Sequence, residues 1–135
     1  MSTKQYVLML ENDSDDRYFT QSTLDELGLD ISIYYTPFSN EVIDNLSGMN
    51  KPSLILLAYN TYPKAGVEII KKFKGNPQFA HIPVIVLSED IPVDHVQEYY
   101  RSGANTVIKK PSSVELTRQK VQSFFNYWMQ VAEIG

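Results

Sequence analysis

Four short stretches hold side chains whose types could do chemistry together. Glu11-Asn12-Asp13 offers oxygen ligands of the kind a hard divalent cation takes. Ser88 offers a hydroxyl, and Lys110 an ammonium group just before Pro111. The fourth stretch is Leu54-Ile55-Leu56-Leu57-Ala58, which opens into the polar loop Tyr59-Asn60-Thr61-Tyr62-Pro63. A run of four branched aliphatics reads as a strand buried on both faces. In open α/β sheets, ligands sit just beyond the carboxyl ends of such strands. Yet at position 58, where a reactive side chain would project, stands a methyl group that can donate, accept or attack nothing.

The elements that must position these residues follow a regular alternation. Tyr6–Leu10 reads as the first strand. Ser14 or Asp13 can cap a helix whose first turn holds Asp15 and Asp16, charges suited to a helix start. Phe19, Leu24 and Leu27 give that helix an inward face, and Gly28 stops it. Ile31–Tyr35 is a second strand, and Ser39 can cap a short helix carrying Val42, Ile43 and Leu46. After the strand ending before Ala58, a helix with Val67, Ile69, Ile70 and Phe73 ends near Gly75-Asn76-Pro77. Val84–Leu87 is the fourth strand. Pro92 opens a helix through Val96 and Tyr100, closed by Gly103. Thr106–Ile108 is the fifth strand, and the last helix runs from about Ser113 to Ala132. Five β-α units without linker or repeat predict a parallel sheet with helices on both faces. The loops after strands one, three, four and five then meet at one end.

Composition bounds the function. The 135 residues suit a single domain, 1–135, and 43% hydrophobic content is ordinary for a globular fold. Net charge is -4, and the densest basic cluster is Lys71-Lys72 with Lys74, which disfavours nucleic-acid binding. The absence of cysteine excludes disulfides and thiol catalysis and fits a cytoplasmic setting. Neither a signal peptide nor an apolar stretch near the roughly 20 residues of a membrane span is expected.

The ordered landmarks Glu11-Asn12, Ala58, Ser88 and Lys110-Pro111 make the whole chain resemble the receiver domain of bacterial two-component response regulators. Asn76-Pro77, His81–Ser88 and Gly103-Ala104-Asn105 look especially like stand-alone receivers that partner phytochrome-type histidine kinases. The resemblance implies a flavodoxin-like, doubly wound five-stranded parallel sheet of order 2-1-3-4-5. It implies that Glu11 and Asn12 match an acidic pair that binds Mg²⁺, Ala58 the phosphorylated aspartate, Ser88 the Ser/Thr position, and Lys110-Pro111 a Lys-Pro pair usually joined by a cis peptide. Gly66 falls where the family often has glycine. Val107 falls where it often carries an aromatic switch.

The departures bear on the chemistry. Phosphoryl transfer to a receiver needs a carboxylate nucleophile, and Ala58 has none. Asn12 supplies a neutral amide, leaving Glu11 the sole carboxylate at the family's metal positions, so Mg²⁺ binding is expected to be weak or absent. Valine at 107 cannot make the aromatic rotamer exchange. The expectation is a pseudo-receiver: a non-enzymatic binding module for a histidine kinase, another receiver or an output protein. The resemblance implies docking, or homodimerisation, through the face formed by helix 4, strand 5 and helix 5. Tyr99, Tyr100, Tyr127 and Trp128 are the interface candidates. With the last helix at the end of the chain, no output domain is expected to follow.

Plainer roles are available for the same residues. Glu11 and Lys110 can form an ion pair at the sheet end. Ser88 can be a loop hydrogen bonder. His81 and His95 are isolated and read as surface residues. Phe124, Phe125, Trp128 and Met129 lie at helical spacing and read as core, while Tyr127 and Trp128 cannot easily both face inward. Two other functions share the pattern. One is a regulator phosphorylated at an off-register acceptor such as Asp13. The other is a flavodoxin-like flavin carrier, which would need a phosphate cradle after strand one where this chain places several acids.

Overall fold

A computed structural model describes residues 6–11, 14–28, 31–36, 42–46, 50–58, 63–89, 92–110 and 113–131. Five strands alternate with five helices: β1 (Tyr6–Leu10), α1 (Ser14–Glu26), β2 (Ser32–Thr36), α2 (Val42–Asn45), β3 (Leu54–Ala58), α3 (Pro63–Gly75), β4 (Val84–Glu89), α4 (Val93–Ser102), β5 (Thr106–Lys110) and α5 (Val114–Asn126). The strands form one sheet of order β2-β1-β3-β4-β5, and every pairing is parallel. This is the expected doubly wound architecture.

Strand side chains alternate between the two faces, and each set meets its own helices. Leu8, Leu10, Ile55, Leu57, Val84 and Val86 pack with Val42 of α2, Ile70 and Phe73 of α3 and Tyr99 of α4. Val7, Met9, Leu54, Leu56, Ile85 and Leu87 pack with Leu24 of α1 and Val121, Phe124 and Phe125 of α5. Burial on both faces is why β1, β3 and β4 read as unbroken apolar runs. Each fully buried large side chain contributes about 1.5–3 kcal/mol.

Several boundaries differ from the sequence reading: β4 runs on to Glu89 and β5 to Lys110, so Ser88 and Lys110 lie within strands. β2 begins at Ser32 rather than Ile31, because its register with β1 pairs Tyr6 with Ser32 and Leu10 with Thr36. As an edge strand it leaves Ser32 and Tyr34 exposed. α5 stops at Asn126 and passes into a π-helical turn, Tyr127–Val131. A wide turn shifts the residues past Asn126 around the axis. Trp128 and Met129 stay partly buried against the α1–α5 core while Tyr127 is half exposed. Ala132 and the Ser39 cap lie outside the described residues.

Helix ends follow their sequence signals. The Ser113 hydroxyl accepts the Leu116 N–H at 3.3 Å at the start of α5. Gly103 closes α4 in the left-handed region, φ 115°, donating to the Tyr100 carbonyl.

Candidate functional site

Sheet register sets the site. Leu10 pairs with Leu57, so Glu11 follows β1 where Ala58 ends β3. Ala58 pairs with Leu87, one residue before Ser88, and Ser88 pairs with Lys109, one residue before Lys110. The four landmarks therefore meet at the carboxyl end of adjacent strands. The side chains of Ala58 and Lys110, and residues Asn12, Asp13 and Pro111, lie outside what the structure describes. So does the Lys110–Pro111 bond expected to be cis. Lys110 is also in register with Glu89. β3 and β4 lie between β1 and β5 in the sheet, so the backbone register places Glu89, not Glu11, directly beside Lys110.

Glu11 and Ser88 are both buried, at 4% and 5% exposure, and both interact with neighbours. The Glu11 backbone is fixed at both ends. Its N–H donates to the Thr36 carbonyl at 3.0 Å. Its own carbonyl accepts from Arg17 Nε at 2.8 Å and from Arg17 Nη2. Tyr35 completes this brace. Its hydroxyl donates to the Arg17 carbonyl at 3.0 Å, and the guanidinium lies 5.6 Å from the Tyr35 ring centre. Burial pushes the Tyr35 phenol up to about 12, helped by the Asp25 charge and opposed by Arg17.

Sequence reading missed Arg17 and Tyr35. One signal was present: a cation in the first turn of a helix opposes the macrodipole and needs another reason to be there. A second missed cluster lies at the opposite end of the sheet. Lys74 Nζ donates to the Ile82 carbonyl and Asn105 Oδ1, both at 2.9 Å, and to the Ala80 carbonyl at 3.3 Å. Asn105 Oδ1 also accepts the Val84 N–H at 2.9 Å. Desolvation lowers the Lys74 pKa from its ordinary value.

The interface candidates separate by burial. Tyr99 is 3% exposed and belongs to the core, so it does not share the surface with the others. A Cβ at Gly66 would sit 3.0 Å from the Tyr99 ring, so the glycine makes room for that tyrosine. Tyr100 and Tyr127 are half exposed, and Trp128 meets Tyr127 edge to face with ring centres 5.2 Å apart. An open groove of about 920 Å³ runs between β5 and α5, lined among others by Lys109, Lys120, Phe124, Tyr127 and Trp128. Val107 packs against the α2–α3–α4 core, partly buried. His81 is exposed. Among the described residues no group of three His, Cys, Asp or Glu could hold a metal ion.

No family model matches the chain. Response regulator Rcp1 of Synechocystis is 30% identical over 84 residues, covering 62% of this chain and 57% of that protein. The alignment thus spans little more than half the length of that relative. Among solved structures, the phosphorylated cyanobacterial phytochrome response regulator RcpA superposes with a TM-score of 0.87 at 24% identity, covering 98% of this chain and 99% of its own. The Mn²⁺-bound form of Rcp1 gives 0.83 at 22% identity, covering 97% and 99%. The homologues and structural neighbours of this chain are response-regulator receiver domains. The receiver fold thus accounts for the strand order and for the end of the sheet at which the landmarks gather.

Proposed function

We propose that this chain is a receiver module of two-component signalling that works without aspartyl phosphorylation, by binding other proteins. Ala58 at the end of β3 carries the reading. The phosphoryl group of a receiver needs a carboxylate nucleophile, and alanine has no atom that can form the bond. Neighbours of the same fold are described as phosphorylated and as Mn²⁺-bound. The donor set here fits a divalent ion poorly. Of the positions the family uses for metal, Glu11 alone carries a carboxylate, Asn12 has a neutral amide and Ala58 nothing.

What remains is a docking surface. A histidine kinase, another receiver, an output protein or a second copy would dock on α4, β5 and α5, where Tyr100 and Tyr127 expose rigid aromatic area beside the β5–α5 groove. Lys109 and Lys120 line that groove and, among the described residues, no carboxylate does, in a chain of net charge -4. An acidic partner surface is the complement. Association through this face is expected to be the same with or without Mg²⁺ and beryllofluoride, the phosphate mimic. Sedimentation under both conditions measures it. Complex or dimer formation that required beryllofluoride would reject a constitutive face.

A further inference from the structure

β5 is an edge strand, and an edge strand presents peptide groups open to pairing with another chain. Among the described residues, two outward groups of β5 are held by side chains of this chain. The Val107 N–H donates to the Tyr100 hydroxyl at 3.0 Å. The Lys109 carbonyl accepts from Lys120 Nζ at 3.0 Å. Tyr100 reaches over from α4, Lys120 from α5, so the two helices flanking the strand close it from opposite faces.

The α4 contact has further support. The Gly103 N–H donates to the Tyr100 carbonyl and the Ala104 N–H to the Tyr99 carbonyl, both at 3.1 Å, so the turn from α4 into β5 is tight. Tyr99, the preceding residue, is buried beside Gly66 of α3. α4 is therefore anchored inward by one tyrosine and to the strand edge by the next.

We propose that Tyr100 is a latch: its hydroxyl holds α4 to the outer edge of β5 at Val107, fixing the arrangement of the α4–β5 face and closing that edge to strand addition. Valine at position 107 suits this device. Its side chain packs against the α2–α3–α4 core, on the face from which Tyr100 arrives. The latch rests on contacts within the chain and does not need the docking partner proposed above.

Hydrogen exchange by NMR tests it on the isolated chain. Tyr100→Phe keeps the ring and removes the acceptor, so the fold should survive. The Val107 amide is expected to exchange about five-fold faster or more in the variant. The Ile55 amide, bonded to the Pro83 carbonyl at 3.0 Å in the sheet centre, is expected to be unchanged. An unaltered Val107 rate would overturn the latch. Equal acceleration of Val107 and Ile55 would also overturn it, because the loss would then be global.

Discussion

Arg17 shows how one side chain can fix the end of a strand. Its guanidinium binds the Glu11 carbonyl from inside the first turns of α1, and the Tyr35 hydroxyl holds the Arg17 carbonyl in turn. The cation sits at the unfavourable end of the helix dipole and recovers that cost through charge-assisted bonds. Tyr35 gives this brace a pH signature. Its phenol titrates near 12 in the fold against 10 ordinarily. A raised folded value means the contribution is complete below about pH 10 and is lost as pH climbs toward 12. The urea midpoint of the wild type is expected to fall more steeply than that of Tyr35→Phe between about pH 9 and about pH 11.5. Parallel slopes would show that the phenol's ionisation is not linked to folding.

The same scale holds the metal argument. Ala58→Asp returns a carboxylate at the end of β3 but leaves Asn12 in place. That single variant is expected to bind Mg²⁺ little better than the wild type, while Asn12→Asp/Ala58→Asp binds it measurably by titration calorimetry. Without metal the double variant is expected to be less stable, since it gathers like charges near buried Glu11. Equal Mg²⁺ affinity in single and double variants would remove Asn12 from the account.

At the level of elements, the corner between α4 and β5 depends on Gly103. Its φ of 115° suits glycine, and a Cβ there would lie 2.8 Å from Lys74 Cγ. The Lys74 stem has little freedom to give way, because its ammonium is held by three oxygens. Gly103→Ala is expected to cost about 1–3 kcal/mol in urea unfolding. Gly28→Ala, at φ 68° with nothing within 4 Å of the new Cβ, is expected to cost less. Equal losses would mean that backbone strain alone matters and that Lys74 does not crowd the site. Such corners explain what the sequence left illegible. The apolar runs of β1, β3 and β4 and the helix stops at Gly28 and Gly103 were readable, because burial on two faces and left-handed caps leave local marks. Tyr100 bonding Val107, or Lys74 bonding Asn105 across 31 positions, leaves no periodic mark. Neither does the π-helical turn that holds Tyr127 and Trp128.

For the whole molecule, strand order and the meeting of four landmarks at one sheet end were legible, since parallel β-α units constrain topology strongly. The burial of Tyr99 was not, because adjacent tyrosines on a helix give no local signal of which one faces the core. Among the described residues no helix is long and apolar enough to cross a membrane. The central claim is that a receiver fold here operates without a phosphoacceptor. Intact-protein mass spectrometry after incubation with acetyl phosphate and Mg²⁺ tests it most directly. The expected spectrum shows the unmodified mass. A stoichiometric, hydroxylamine-labile gain of one phosphoryl group, mapped to Asp13 or any other carboxylate, would contradict the account.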